Sequence, residues 1–132
     1  MLKTVAISSF AIALGLTAWL LPMGDERATA QAGPLHILVV EYDIVPGEID
    51  KYLTAVKELG AASVNEPGFR QLSITVLQND LNHVLLFEAW DNAAAHAAHV
   101  TTDRFKKYQA TTGNMIAKRN VRAFSSVAML SP

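Results

Sequence analysis

The sequence predicts an α+β fold: four strands and two helical segments in the order β-α-β-β-α-β, the ferredoxin-like arrangement with one four-stranded antiparallel sheet. Three observations carry that expectation. Leu35 to Ile44, Phe69 to Gln78, His83 to Trp90 and Val121 to Leu130 read as strands, the first and third with clear two-residue alternation. The stretch after the first strand and the stretch after the third space their apolar residues as helices do. Pro46-Gly47, Pro67-Gly68 and Asn79-Asp80 punctuate the boundaries.

Of the 132 residues, Met1 to Ala32 read as an export leader. Lys3 supplies the positive start, an uncharged run follows from Thr4 to Met23, Pro22 breaks it, and small-residue cleavage sites end at Ala30 and Ala32. The rival reading is an uncleaved anchor, since about 20 apolar residues can just span a bilayer. Either way the rest of the chain is expected beyond a membrane, periplasmic or secreted if cleaved. Residues 33–132 remain for folding, enough for one domain with one core and too few for a two-domain enzyme or a full dinucleotide-binding fold. Zero cysteines exclude disulfides, thiolate metal sites and cysteine nucleophiles together. Lys+Arg 11 against Asp+Glu 12 gives a formal net charge of −1, without the footprint of a nucleic-acid or acidic-membrane binder.

Within the first strand, alternation sends His36, Leu38, Val40 and Tyr42 to one face and Ile37, Val39, Glu41 and Asp43 to the other. A helix is expected from about Glu48 to Val64, with Ile49, Tyr52, Leu53, Val56 and Leu59 on its apolar side and the acids Glu48 and Asp50 in its first turn. Asn65-Glu66-Pro67-Gly68 ends it, because proline pushes the preceding residue out of the helical region. After the second strand, Gln78 to Asn82 reads as a hairpin loop. The third strand places Val84, Leu86, Glu88 and Trp90 on one face and Leu85, Phe87 and Ala89 on the other. Asp91 is the expected N-cap of an alanine-rich helix over Asn92 to Val100. Thr101 or Thr102 caps a further helix carrying Phe105 and Tyr108, with Asp103 and Lys107 paired on its exposed side and Gly113-Asn114 loosening its end.

Helices on one face leave the other face of the sheet without an internal partner. Leu85, Phe87, Phe124 and Val127 are too apolar for that face to stay wet. A second copy of the chain is the simplest cover, so a homodimer through sheet faces is expected.

The segment LLFEAWDNAAAHAAHVTTDRFKKY, with Glu88-x-Trp90 followed by Ala94, His96, His99 and Phe105, resembles the antibiotic biosynthesis monooxygenase (ABM) family. Pro46-Gly47 before the first helix and Glu66-Pro67-Gly68 after it are similar to that family as well, and the resemblance spans roughly Leu35 to Val127. It implies a dimeric α+β barrel with one pocket per subunit between sheet and helices. His99 matches the family's frequent helix histidine, Trp90 its strand aromatic and Glu88 the acid two residues earlier. Arg104 stands before Phe105 where many relatives have a histidine, and the first strand lacks the asparagine of the haem-degrading branch.

If the Glu88–Trp90 face meets the helices, carboxylate, indole and imidazole converge on one pocket. Oxygenation without a cofactor needs a substrate that can itself reduce O2, such as a quinol or hydroxylated aromatic. The protein then supplies a base, a dry cavity and orientation. Histidine suits the first task because its ordinary pKa is about 6.5. His99 is cast as base, Glu88 as its orienting partner or a polar tether, and Trp90 as a wall. Tyr42 and Phe69 could stack on a flat ring beside Trp90, and His96 lies one helical step from His99. Each has a plainer alternative: a core anchor for Trp90, a backbone partner for Glu88, solvated helix surface for His96. A metal on His96-x-x-His99, with His36 or Glu88, is the sharper rival, but a lone pair of histidines falls short of the three or four ligands such a site needs.

The resulting expectation is a monooxygenase without cofactor or metal, oxidising a quinol-like or polyphenolic small molecule with O2. The alternatives are a non-catalytic small-molecule binding protein on the same fold, or an isomerase or degrading enzyme for a small carbonyl compound. No nucleic-acid partner is expected, and no membrane association once the leader is removed.

Overall fold

A computed structural model describes residues 33–130; the expected leader, residues 1–32, lies outside the described residues. Strand β1 (His36–Ile44) leads through Pro46-Gly47 into helix α1 (Ile49–Ser63), then come β2 (Phe69–Leu77), β3 (Asp80–Trp90), α2 (Ala93–Val100), α3 (Asp103–Thr112), a 3₁₀ turn (Gly113–Met115) and β4 (Ile116–Ser125). The four strands form one antiparallel sheet in the order β2-β3-β1-β4, and the expected β-α-β-β-α-β order is present with its second helical segment divided in two. Among the described residues no helix is long and apolar enough to cross a membrane.

The alternation expected for β1 and β3 is observed along most of both strands, with Ile37 and Ala89 of the opposite face buried as well. Leu38, Val40, Tyr42 and Ile44 of β1 and Val84, Leu86 and Trp90 of β3 enter the core, where they meet Tyr52 and Val56 of α1 and Tyr108 of α3. Both long helices therefore lie on the face that carries Glu88 and Trp90. Gly60 lets α1 approach β2 closely, because a Cβ there would stand 2.7 Å from the Leu72 side chain.

The caps follow side-chain reach. Asn92, and not Asp91, caps α2, its side chain accepting from the Ala95 N–H at 2.9 Å. Asp91 is engaged by Arg70 of β2 instead. Thr102 caps α3 by accepting from the Phe105 N–H at 3.2 Å. Asp103 pairs across one turn with Lys106 at 3.8 Å rather than with Lys107.

Two boundaries differ from the sequence expectation. The hairpin is tighter, since β3 already starts at Asp80. The last strand starts at Ile116 and stops at Ser125, five residues before its expected position at each end. The 3₁₀ turn delivers the chain directly to β1, where Val45 N–H donates to the Met115 carbonyl at 2.8 Å. β4 is an edge strand exposed along almost all of its length. Polar residues such as Lys118, Arg119 and Asn120 sit there without cost, and they hide the strand from a search for alternation. Val127 thus lies beyond the sheet, fully exposed, and does not belong to its open face.

That open face is graded. At one end Ala89, Ile37 and Phe124 are cross-strand neighbours, followed by Phe87, Val39 and Arg122. At the other end His83, Asp43 and Lys118 stand side by side. His83 Nδ1 meets Asp43 at 2.7 Å, and Glu41 accepts from Arg122 at 2.8 Å and Asn120 at 3.0 Å.

Candidate active site

The end of β3 sets the site. Its two-residue period carries Val84 and Leu86 into the core and continues to Glu88 and Trp90, so both line the cavity between sheet and helices. Tyr42 from β1, Phe69 and Leu72 from β2, Val56, Leu59, Gly60 and Ser63 from α1, His99 from α2, and Phe105 and Tyr108 from α3 complete the lining. The empty space, counted out to the mouth, is about 400 Å³. The lining side chains leave only a narrow slot.

The slot is walled by aromatic rings. Trp90, 1% exposed, takes Phe69 edge-on at 5.4 Å and lies against His99 with centroids 4.8 Å apart. Phe105 also meets His99 edge-on, at 5.0 Å. The indole Nε1 donates to Glu88 Oε2 at 3.2 Å. Burial pushes the Glu88 carboxyl above the usual carboxylate range, against the Trp90 hydrogen bond and the charges of His99, Arg119 and His36. Deeper in, the Tyr108 hydroxyl donates to the Tyr52 hydroxyl at 3.0 Å, joining α3 to α1 across the core.

Of the residues singled out in the sequence, Glu88, Trp90, His99, Tyr42 and Phe69 come together in this one cavity. His96 does not line it. Its ring lies behind, 5.9 Å from Trp90 and 5.7 Å from His36. Burial, with the neighbouring His99, His36 and Arg119, lowers the His96 pKa to about 4. A ring so held is neutral near pH 7. Among the described residues, no group of three His, Asp or Glu side chains could hold a metal ion.

The partner of His99 is a residue that motif and spacing did not single out for chemistry. Glu66 Oε2 meets His99 Nδ1 at 2.9 Å, while Glu66 Oε1 accepts from Arg104 at 2.8 Å. Glu88, the partner expected from the sequence, bonds to Trp90 instead. Burial would raise the Glu66 carboxyl, but the hydrogen bond and charge of His99 and the Arg104 guanidinium outweigh it and hold Glu66 below its ordinary range. The turn after α1 delivers Glu66. Its N–H donates to the Ser63 carbonyl at 2.9 Å and its carbonyl accepts from Phe69 at 3.1 Å. Gly68, at φ 79°, then tucks beneath α2, where a Cβ would stand 2.5 Å from that of Ala95. The available signal was the Glu66-Pro67-Gly68 turn itself: an acid fixed by proline and by a glycine in the left-handed region.

The fold and this lining define a ferredoxin-like α+β domain with a small aromatic pocket and a histidine–carboxylate pair in its wall. Residues 35–111 match the model of the antibiotic biosynthesis monooxygenase (ABM) family, and the chain belongs to that family. Membership supports a function of the monooxygenase type. Several solved structures share the fold. A Nitrosomonas europaea protein assigned to the antibiotic biosynthesis monooxygenases superposes with TM-score 0.70 at 20% identity, over 72% of this chain and 92% of that one. A Caulobacter crescentus protein with the same assignment gives TM-score 0.69 at 20% identity, over 73% and 92%. A conserved protein of Methanosarcina mazei gives 0.67 at 15% identity, over 71% and 94%. Among curated proteins, none matches the sequence.

Proposed function

We propose that this protein is an exported, homodimeric monooxygenase that oxidises a quinol-like or polyphenolic small molecule with O2 and needs no resident cofactor. The observation that carries the reading is His99: an imidazole held by a carboxylate on one side and bordering an aromatic slot. His99 removes a proton from a substrate hydroxyl, and the electron-rich phenolate that results reduces O2. One oxygen atom enters the ring and the other leaves as water, so a hydroquinone becomes a hydroxyquinone and the four electrons balance. Trp90 and Phe69 stack on the ring, Tyr42 lines the same cavity, and Glu88 offers a polar tether beside the indole. The apolar lining keeps bulk water from the charged intermediate.

The second copy of the chain covers the open sheet face, its apolar end contributed by Phe87, Val39 and Phe124, while Ile37 beside them is already buried in the single chain. Phe124 is 48% exposed in the single chain, a large aromatic with apolar neighbours that burial would stabilise.

The test is O2 consumption by the purified protein in metal-free buffer against a panel of hydroquinones. Uptake above the spontaneous rate is expected. No uptake, together with saturable protection against heat by the same compounds, would replace this reading with that of a binding protein. A change in substrate absorbance without O2 would point to an isomerase.

A further inference from the structure

A carboxylate in its anionic form can only accept hydrogen bonds. Glu66 Oε2, 2.9 Å from His99 Nδ1, therefore requires a proton on Nδ1. In the neutral ring the lone pair then sits on Nε2, which has no hydrogen-bond partner among the described residues. His99 is 5% exposed and borders the cavity. The two Glu66 oxygens divide their work: one takes the buried imidazole, the other a half-exposed guanidinium 2.8 Å away. A plain surface staple between turn and helix would need only Arg104. The other oxygen of this side chain, which is 9% exposed, goes to the histidine.

We infer that Glu66 is the positioning residue of the site: it selects the Nδ1–H tautomer of His99, aims Nε2 as the accepting atom, and stabilises the imidazolium once the proton has arrived. The inference rests on the reading of His99 as base. A carboxyl held below its ordinary range stays anionic when His99 is charged, so the proton remains on the imidazole and Glu66 does not relay it onward. This is the division of labour of a carboxylate behind a catalytic histidine, reached here from a turn and not from a strand or helix.

Two measurements on the full chain test it. Proton–nitrogen correlation NMR of the His99 ring, at a pH where it is neutral, should show Nδ1 protonated and Nε2 bare. In Glu66→Gln the amide offers both a donor and an acceptor, so the two tautomers should mix. With a hydroquinone that the parent oxidises, Glu66→Gln should lower kcat about 100-fold with KM nearly unchanged, the lower range of what a positioned general base contributes. Arg104→Gln leaves the Glu66–His99 contact in place, so it should keep the Nδ1–H tautomer and lower kcat less than Glu66→Gln does. A bare Nδ1 in the parent overturns the inference, as does a folded Glu66→Gln with parental tautomer and kcat. If the parent oxidises no hydroquinone, the oxygenase reading fails while the NMR result still decides the role of Glu66. If Glu66→Gln does not fold, the parent tautomer decides it.

Discussion

The indole of Trp90 lies against the imidazole of His99, ring centroids 4.8 Å apart and planes tilted by 36°. Strand β3 and helix α2 thus shape the site together, and Trp90 belongs to both the core and the cavity lining. Trp90→Ala should lower stability by about 3–5 kcal/mol, the usual loss for a buried tryptophan. Trp90→Phe should cost less but removes the donor to Glu88. Urea unfolding of both variants separates packing from the hydrogen bond.

Gly68 answers two demands at once, a left-handed backbone and contact with Ala95. Gly68→Ala should destabilise the fold by about 1–3 kcal/mol, the range for strain at such positions. It should also lower activity more than an equally destabilising change remote from the turn, because the same turn carries Glu66 to His99.

Tyr42, Tyr52 and Tyr108 are the chain's three tyrosines. Burial raises all three hydroxyls above their ordinary value of 10.0. The unfolded chain ionises first, so the stability these groups contribute is full below pH 10 and is lost as pH climbs through the raised folded values. Tyrosinate absorbance should therefore stay low at pH 10 while the protein is folded and appear together with unfolding.

Acid acts in the opposite direction. His96 is held at about 4 in the fold against 6.5 ordinarily, chiefly by burial. Its contribution is complete above pH 6.5 and is lost as pH falls towards 4. Glu66, also lowered, adds a second loss below about 4.5. Urea midpoints measured down this range should fall, and His96→Gln should flatten the upper part of the fall while leaving the lower part.

Phe124→Glu places a charge on the apolar end of the open sheet face beside Ile37. Light scattering at micromolar protein should show a dimer for the parent and a monomer for this variant, whose own fold should survive because Phe124 lies outside the core. A parent that stays monomeric would contradict the covered-face argument.

The elements that alternation could reveal were those with one wet and one dry face. Val84 to Trp90 declares which side meets the helices, and the register of β1 against β3 places Glu88 opposite Leu38. β4 has no dry face, so its true start at Ile116 left no periodic trace. Glu66 was visible only as part of a turn, because its contact with His99 joins positions 33 residues apart. Spacing along one helix found His96 more readily, yet that ring lies behind the cavity and not in it.

The most direct test is the fate of isotopically heavy O2 during turnover of a hydroquinone. One heavy oxygen atom should appear in the hydroxyquinone product and the other in water, in equal amount, at a rate that His99→Ala lowers about 100-fold or more. Product formed at the parental rate by His99→Ala, or product without heavy oxygen, would contradict this mechanism.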